Sequence, residues 1–171
     1  QTLTALSESI STYNWSAVEV APGSTDSELR VQTLNVPGFG VVSGDDALNR
    51  VSDVSVTTRS IGCMGAFKAG YSDGGEFRIE ARDSTNRFGP GAVKQLVNRN
   101  LQVIQFDECY DFTVPFARID GVRGKLNPDY SPFYSGLTML NCSRFVMWSP
   151  TTTGMWNDEA ADADCLALLA Q

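Results

Sequence analysis

Residues 67–93 read FKAGYSDGGEFRIEARDSTNRFGPGAV, and the middle of this stretch decides how the chain is organised. Phe77, Ile79 and Ala81 alternate with Glu76, Arg78, Glu80 and Arg82. A period of two sends the apolar side chains to one face of a strand and the charges to the other. Asp73, Gly74 and Gly75 supply turn residues before it, and Asp83, Ser84, Thr85 and Asn86, then Gly89, Pro90 and Gly91, break the chain after it. The spacing therefore predicts a bounded strand whose Phe77, Ile79 and Ala81 line a core while its charges meet solvent or a neighbouring molecule. A slip of one residue would exchange the two sets.

Toward the N-terminus, Val54, Val56 and Thr58 alternate with Ser55, Thr57 and Arg59, which predicts a second strand. Residues 29–36 (LRVQTLNV) predict a third, with Leu29, Val31 and Thr33 on one face and Pro37, Gly38 and Gly40 as its stop. In residues 14–21 (NWSAVEVA) the apolar parity slips once, as in a bulged strand. Residues 43–53 (SGDDALNRVSD) carry Ser43 or Asp45 as a cap, acids in the first turn, and Ala47, Leu48 and Val51 at helical spacing, so a short helix is expected there.

Toward the C-terminus, residues 92–97 and 101–106 (LQVIQF) flank the turn residues Asn98, Arg99 and Asn100, and residues 110–114 (YDFTV) alternate up to Pro115. Residues 120–135, with Gly121, Gly124, Pro128 and Pro132, read as loop. Residues 137–140 and 144–148 are the last expected strands, followed by a turn over 149–154 and an acidic tail whose apolar end, 165–169, packs back on the sheet. About eight short strands joined by Gly/Pro turns point to an all-β sandwich. At 171 residues, this is one domain spanning 1–171.

With 42% hydrophobic and 19% charged residues the composition is that of a soluble globular domain. No apolar run approaches a membrane span, and the N-terminus has no basic segment leading into an apolar one, so no membrane partner is expected. The formal net charge of −7 opposes loose attraction to phosphate backbones. The best local basic patch, Arg118, Arg123 and Lys125, reads as an exposed loop.

Histidine is absent, which excludes a Ser/His or Cys/His nucleophile and removes the commonest metal ligand. The adjacent acids Asp107/Glu108 and Asp158/Glu159 would point to opposite faces of a strand and cannot flank one bond. Gly38 and Gly40 do not open a phosphate loop, and neither Asp45/Asp46 nor the acids of 158–164 have the spacing of a calcium loop. Cys63, Cys109, Cys142 and Cys165 include no close pair, so no zinc site is expected, and their number is compatible with two disulfides or with free thiols. Asn14 and Asn141 head N-glycosylation triplets. Tyr130, Phe133 and Tyr134 suit interface or loop packing, or stacking on a sugar or base. No catalytic, metal or cofactor site is expected.

In order and spacing, these segments resemble the jelly-roll capsid proteins of picorna-like viruses. Trp15, Gly23, Leu29, Val36 and Pro37 look like that family's first strands. Phe67 with Gly70, or Tyr71 with Gly74, and then Thr85 with Gly89 or Gly91, are similar to its aromatic-x-x-Gly, strand, Thr, Gly segment. YDFTVPFARI (110–119) and SGLTMLNCSRFVMWSP (135–150) resemble later strands. The resemblance implies an eight-stranded antiparallel jelly-roll β-sandwich with one or two short helices. It also implies a structural coat protein, not an enzyme, assembling with other capsid subunits into an icosahedral, pseudo T=3 shell around single-stranded positive-sense RNA. Direct RNA contact would be small, because no basic arm is present. The expected location is the virion and, during assembly, the host cytoplasm.

Gln171 looks like the end left by a 3C-like protease cutting a polyprotein, and the small size is most like the separate small coat proteins of plant secovirids such as cheraviruses. Candidate surface or interface loops are 37–44 and 120–135, with Arg118, Arg123, Lys125, Tyr130, Phe133 and Tyr134. The alternative is a secreted β-sandwich adhesin or carbohydrate-binding module using Trp15, Tyr130 and Tyr134, with or without calcium.

Overall fold

The strand that opened the sequence reading is present. Glu76–Thr85 is a ten-residue strand, with Phe77, Ile79 and Ala81 fully buried and Glu76 and Arg78 about half exposed at their side chains. The computed structural model describes residues 2–6, 16–36, 38–44, 46–85, 101–124, 134–157 and 165–170. Within them the chain winds as a solenoid, and each coil adds a strand to each of two sheets.

The first sheet holds β1 (Thr2–Leu6), β3 (Glu28–Leu34), β6 (Ser55–Ile61), β9 (Glu76–Thr85) and β11 (Thr113–Gly124), with β13 (Val146–Met147) and β14 (Thr151–Asn157) both pairing β11. The second holds β2 (Ser16–Val20), β4 (Phe39–Ser43), β7 (Gly65–Gly70), β10 (Leu101–Asp107), β12 (Tyr134–Leu140) and β15 (Cys165–Ala170). A narrow third face carries β5 (Val51–Ser52) and β8 (Ser72–Asp73), continued by bridges from Asp73 to Tyr110 and from Tyr110 to Ser143.

Every one of these pairings is parallel. The antiparallel jelly roll expected from the resemblance is therefore replaced by a parallel β-solenoid. The physical reason lies in the corners. Residues of the left-handed backbone region stack coil upon coil there: Gly44, Tyr71, Glu108 and Asn141 at φ of 65°, 51°, 53° and 51°, and Asp26, Asp53, Gly74, Asp111 and Arg144 at 48°, 53°, 72°, 55° and 52°. Asn35, Gly62, Asp83 and Gly121 make the third such column. Each column is tied between coils by backbone bonds such as Tyr71 N–H to Asp107 O at 2.9 Å and Asp53 N–H to Asp73 O at 2.8 Å. Gly, Asn and Asp reach this conformation most easily, and a hairpin turn uses the same residues. Here they bend the chain onward to the next face.

Other sequence expectations are corrected locally. No helix occurs among the described residues, and the described parts of the expected helix over 43–53, residues 43–44 and 46–53, are a strand end, a bend and β5. Of the acids in its expected first turn, Asp46 has another use: its carboxylate accepts from Leu48 N–H at 2.8 Å and from Asn49 Nδ2 at 2.7 Å, closing a side-chain turn, while the cap candidate Asp45 lies outside the described residues. Leu48, one of the three residues at helical spacing, is 93% exposed. The expected loop 37–44 contains β4, with Val41 and Val42 buried. β11 runs through Pro115, where the pairing with β9 shifts register between Thr113 and Phe116, and continues to Gly124 in what was read as loop. The turn expected over 149–154 runs into β14.

The core lies between the sheets. Phe67, Phe77, Phe106 and Phe112 are fully buried, and Phe106 stacks on Phe112 with centroids 5.0 Å apart. Burying each such ring contributes about 1.5–3 kcal/mol. Near the corner between the first and second sheets the interior is polar: Thr33 donates to Ser60 Oγ at 2.9 Å, and Ser60 to Ala66 O at 3.1 Å. Gly40 leaves room for this chain of hydroxyls, because a Cβ there would run into Thr33 Oγ1 and Ser60 Oγ. The row Val42, Lys68, Gln105 and Thr138 is also buried, so the middle of the second sheet is covered on both faces, while Glu19, in register with Val42 at the β2 end, is exposed. The first sheet keeps a wet face, and that face and the solenoid's last coil present the candidate groups.

Candidate assembly surface

On the outer face of the first sheet, register aligns side chains into rows. Arg30, Thr57, Arg78 and Phe116 form one row, and Gln32, Arg59, Glu80 and Arg118 the next. Charges pair along and across strands: Arg30 with Glu28 at 2.8 Å, Arg78 with Glu76 at 2.7 Å, Arg59 with Glu80 at 3.4 Å, and Arg118 with Asp120 at 3.1 Å. Pairs this exposed add little stability, so their main effect is to set the pattern of the face. A shallow groove of about 330 Å³ runs over it, lined by Arg30, Arg59, Arg78, Glu80 and Phe116 among others.

The last coil is different in kind. Val146 N–H donates to Phe112 O and Trp148 N–H to Val114 O, both at 3.1 Å, so the segment is held as an edge against β11. Phe145 continues the aromatic column, stacking on Phe112 at 5.3 Å. Yet Phe145 is 39% exposed, Val146 48% and Trp148 58%. A cluster of large apolar side chains at a sheet edge is a surface that gains by being covered.

The third face supplies a polar brace beside that edge. Arg50 forks onto Asp73, donates from Nη2 to Glu108 O at 2.7 Å and lies 4.8 Å from the Tyr110 ring centroid. Tyr110 donates to Glu108 Oε2 at 2.8 Å, a bond to a carboxylate that pushes the phenol upward. Arg144 forks onto Asp111 at 2.7 Å and holds that carboxyl below its ordinary range. Beneath them Cys109 is buried and Cys142 half-buried, and both are free thiols, as is Cys63.

Of the residues singled out in the sequence, Arg118 sits on the wet face of β11 and points a guanidinium nitrogen at Asp120. Arg123 lies in β11, in register with Thr85 and Trp156, and Tyr134 opens β12 between Leu101 and Cys165. Arg118 and Arg123 share β11 of the first sheet and Tyr134 stands in the second, so the three do not form one loop. Trp15, Lys125, Tyr130, Phe133 and Gln171 lie outside the described residues. The sequence reading missed the Arg50 brace and the exposed edge. The signal for the second was present in FVMW, four apolar residues in a row placed directly before Ser149 and Pro150. Among the described residues no group of three or more acids or thiols is placed to hold a metal ion, and no helix is long and apolar enough to cross a membrane. No family model, curated protein or solved structure matches the chain.

Proposed function

We propose that this chain is a structural coat subunit whose work is assembly with other subunits into a shell around RNA. The observation that carries the reading is the exposed apolar edge Phe145, Val146 and Trp148, a surface suited to burial against another protein. The order of capsid-like motifs along the chain supports it from the sequence side. The jelly roll that the resemblance implied is not part of the proposal, nor is a shell geometry derived from jelly-roll packing. Folding and assembly are then separate demands: the aromatic core and corner columns satisfy the first, and the edge serves the second.

The test is co-expression of the chain with its genomic neighbours, followed by sedimentation, electron microscopy and nuclease protection. Shells with protected RNA are expected from the natural chain. Phe145→Ser with Trp148→Ser should give soluble subunits with unchanged circular dichroism and no shells. A natural chain that stays monomeric under these conditions would overturn the proposal.

The groove on the first sheet favours a second reading, a secreted carbohydrate-binding module. Exposed Phe116 offers a ring for stacking and Arg30, Arg59 and Arg78 offer donors. Glycan binding that disappears in Phe116→Ala, together with glycans on Asn14 or Asn141, would favour that module over the coat subunit.

A further inference from the structure

We propose that Cys109 and Cys142 are an oxidation site, a dithiol that peroxide closes into a disulfide joining two successive coils. The two residues occupy equivalent places. Glu108 N–H donates to Leu140 O at 3.0 Å on one side of the pair, and Ser143 N–H donates to Cys109 O at 3.2 Å on the other. This register sets their Cα atoms about one strand spacing apart, roughly 4.8 Å, inside the roughly 4.4–6.8 Å over which disulfides form. In-register neighbours of a parallel pair point to the same side, so the two thiols lie side by side, near enough for each to shift the other.

The roles of the two sulfurs differ. Cys109 is fully buried and also directs its thiol toward Ala69 O and Asp107 O, whereas Cys142 is partly open to solvent. The neighbouring Cys109 thiol brings the Cys142 thiol down to about 7, and the Cys142 sulfur, with burial, pushes Cys109 up. Cys142 is thus the thiolate that meets the oxidant. Its sulfur attacks one peroxide oxygen: an S–O bond forms, the O–O bond breaks, and the departing hydroxide leaves as water after taking a proton. The Cys109 sulfur then attacks the sulfenic sulfur, the S–S bond forms, the S–O bond breaks, and the released hydroxide carries off the Cys109 proton as water. Two electrons pass from the dithiol to peroxide. Cys63 has no such neighbour among the described residues; burial raises its thiol, and it contacts Thr33 Oγ1 at 3.5 Å.

The test uses the purified full chain, hydrogen peroxide, alkylation after unfolding, and peptide mapping. A peptide pair linked through Cys109 and Cys142, about 2 Da lighter than the two free peptides, is expected, with Cys63 still alkylated. In Cys109→Ala, which removes the neighbour that lowers the Cys142 thiol, oxidation should slow and stop at a sulfenic acid on Cys142 that dimedone traps, and in Cys142→Ser Cys109 should stay reduced. Failure of the natural chain to form the internal link while it remains folded would overturn the proposal, as would dimedone labelling first on Cys109 or links formed only between molecules. Because the natural chain is itself read out, the test does not depend on the variants folding.

Discussion

Arg50 and Asp73 are joined by two parallel hydrogen bonds, Nε to Oδ2 at 2.6 Å and Nη2 to Oδ1 at 2.7 Å, across adjacent coils of the third face. The same guanidinium reaches Glu108 O in the coil beyond, so one side chain ties three coils together. Removing it leaves a carboxylate and a carbonyl without their donor. Arg50→Met should lower stability by about 1–2 kcal/mol, a moderate figure because both side chains are partly in water. Arg50→Lys keeps the charge and loses the fork, so it should recover part of the loss. Urea midpoints decide it, and a midpoint unchanged in Arg50→Met would show that solvent replaces the brace.

The parity of β9 makes a sharper contrast between neighbours. Ile79 is fully buried, and Ile79→Ala should cost about 2–5 kcal/mol. Arg78, one residue away, points to water with its ion pair, and Arg78→Ala should fall within about 0.5 kcal/mol of the natural chain. Equal losses at the two sites, read by denaturant unfolding, would contradict the assigned faces.

Corner columns predict which substitutions the bends tolerate. Asp26 has φ of 48°, so Asp26→Gly should be neutral or slightly stabilising, while Asp26→Val forces a β-branched residue into the left-handed region at a cost of about 1–2 kcal/mol. Gly75 at φ of 91° is stricter, since a Cβ there would meet the Val54 carbonyl oxygen. Gly75→Ala should cost more than Asp26→Val in thermal unfolding, and a reversed order would argue against the bends as drawn.

Acid titration tests the second fork. Arg144 hydrogen-bonds Asp111 and holds its carboxyl below the ordinary value of 3.8. A folded-state pKa that is depressed stabilises above the unfolded value and loses that contribution as pH falls through the folded value. Arg144→Gln should therefore raise the Asp111 titration toward its ordinary range and flatten the stability loss below about pH 4. Carboxyl NMR shifts report the first effect and acid unfolding the second. An unmoved Asp111 titration would remove Arg144 as the cause.

Much of the strand content was legible because alternation survives in any half-buried strand. The faces of β3, β6 and β9 follow directly from Leu29/Val31, Val56 and Phe77/Ile79/Ala81. The parallel stacking was not legible. Val31 pairs Thr58, 27 residues on; Val56 pairs Phe77 after only 21; Phe67 pairs Ile104 after 37. With no constant spacing, no repeat stood out, and the Asn, Asp and Gly corners looked like hairpin turns. Asp46, one of the acids expected in a helix's first turn, instead closes a turn of its own, its carboxylate accepting the N–H two residues along. Arg50 and Tyr110 were invisible as partners, since 60 positions of chain separate them and only the stacking brings them together.

The unequal coils carry one more consequence, for how this molecule tolerates change of length. The stretch from Val54 to Gly74 is one full circuit, because Val56 already sits over Phe77 and Asp53 over Gly74. Taking it out as a unit would join Asp53 to Gly75 and lay β9 on β3 with inward residues still inward. A sandwich losing a central strand and its neighbours would collapse, whereas a winding chain would become one storey shorter. Length here is modular, set by the number of storeys and adjustable without redesign of those that remain.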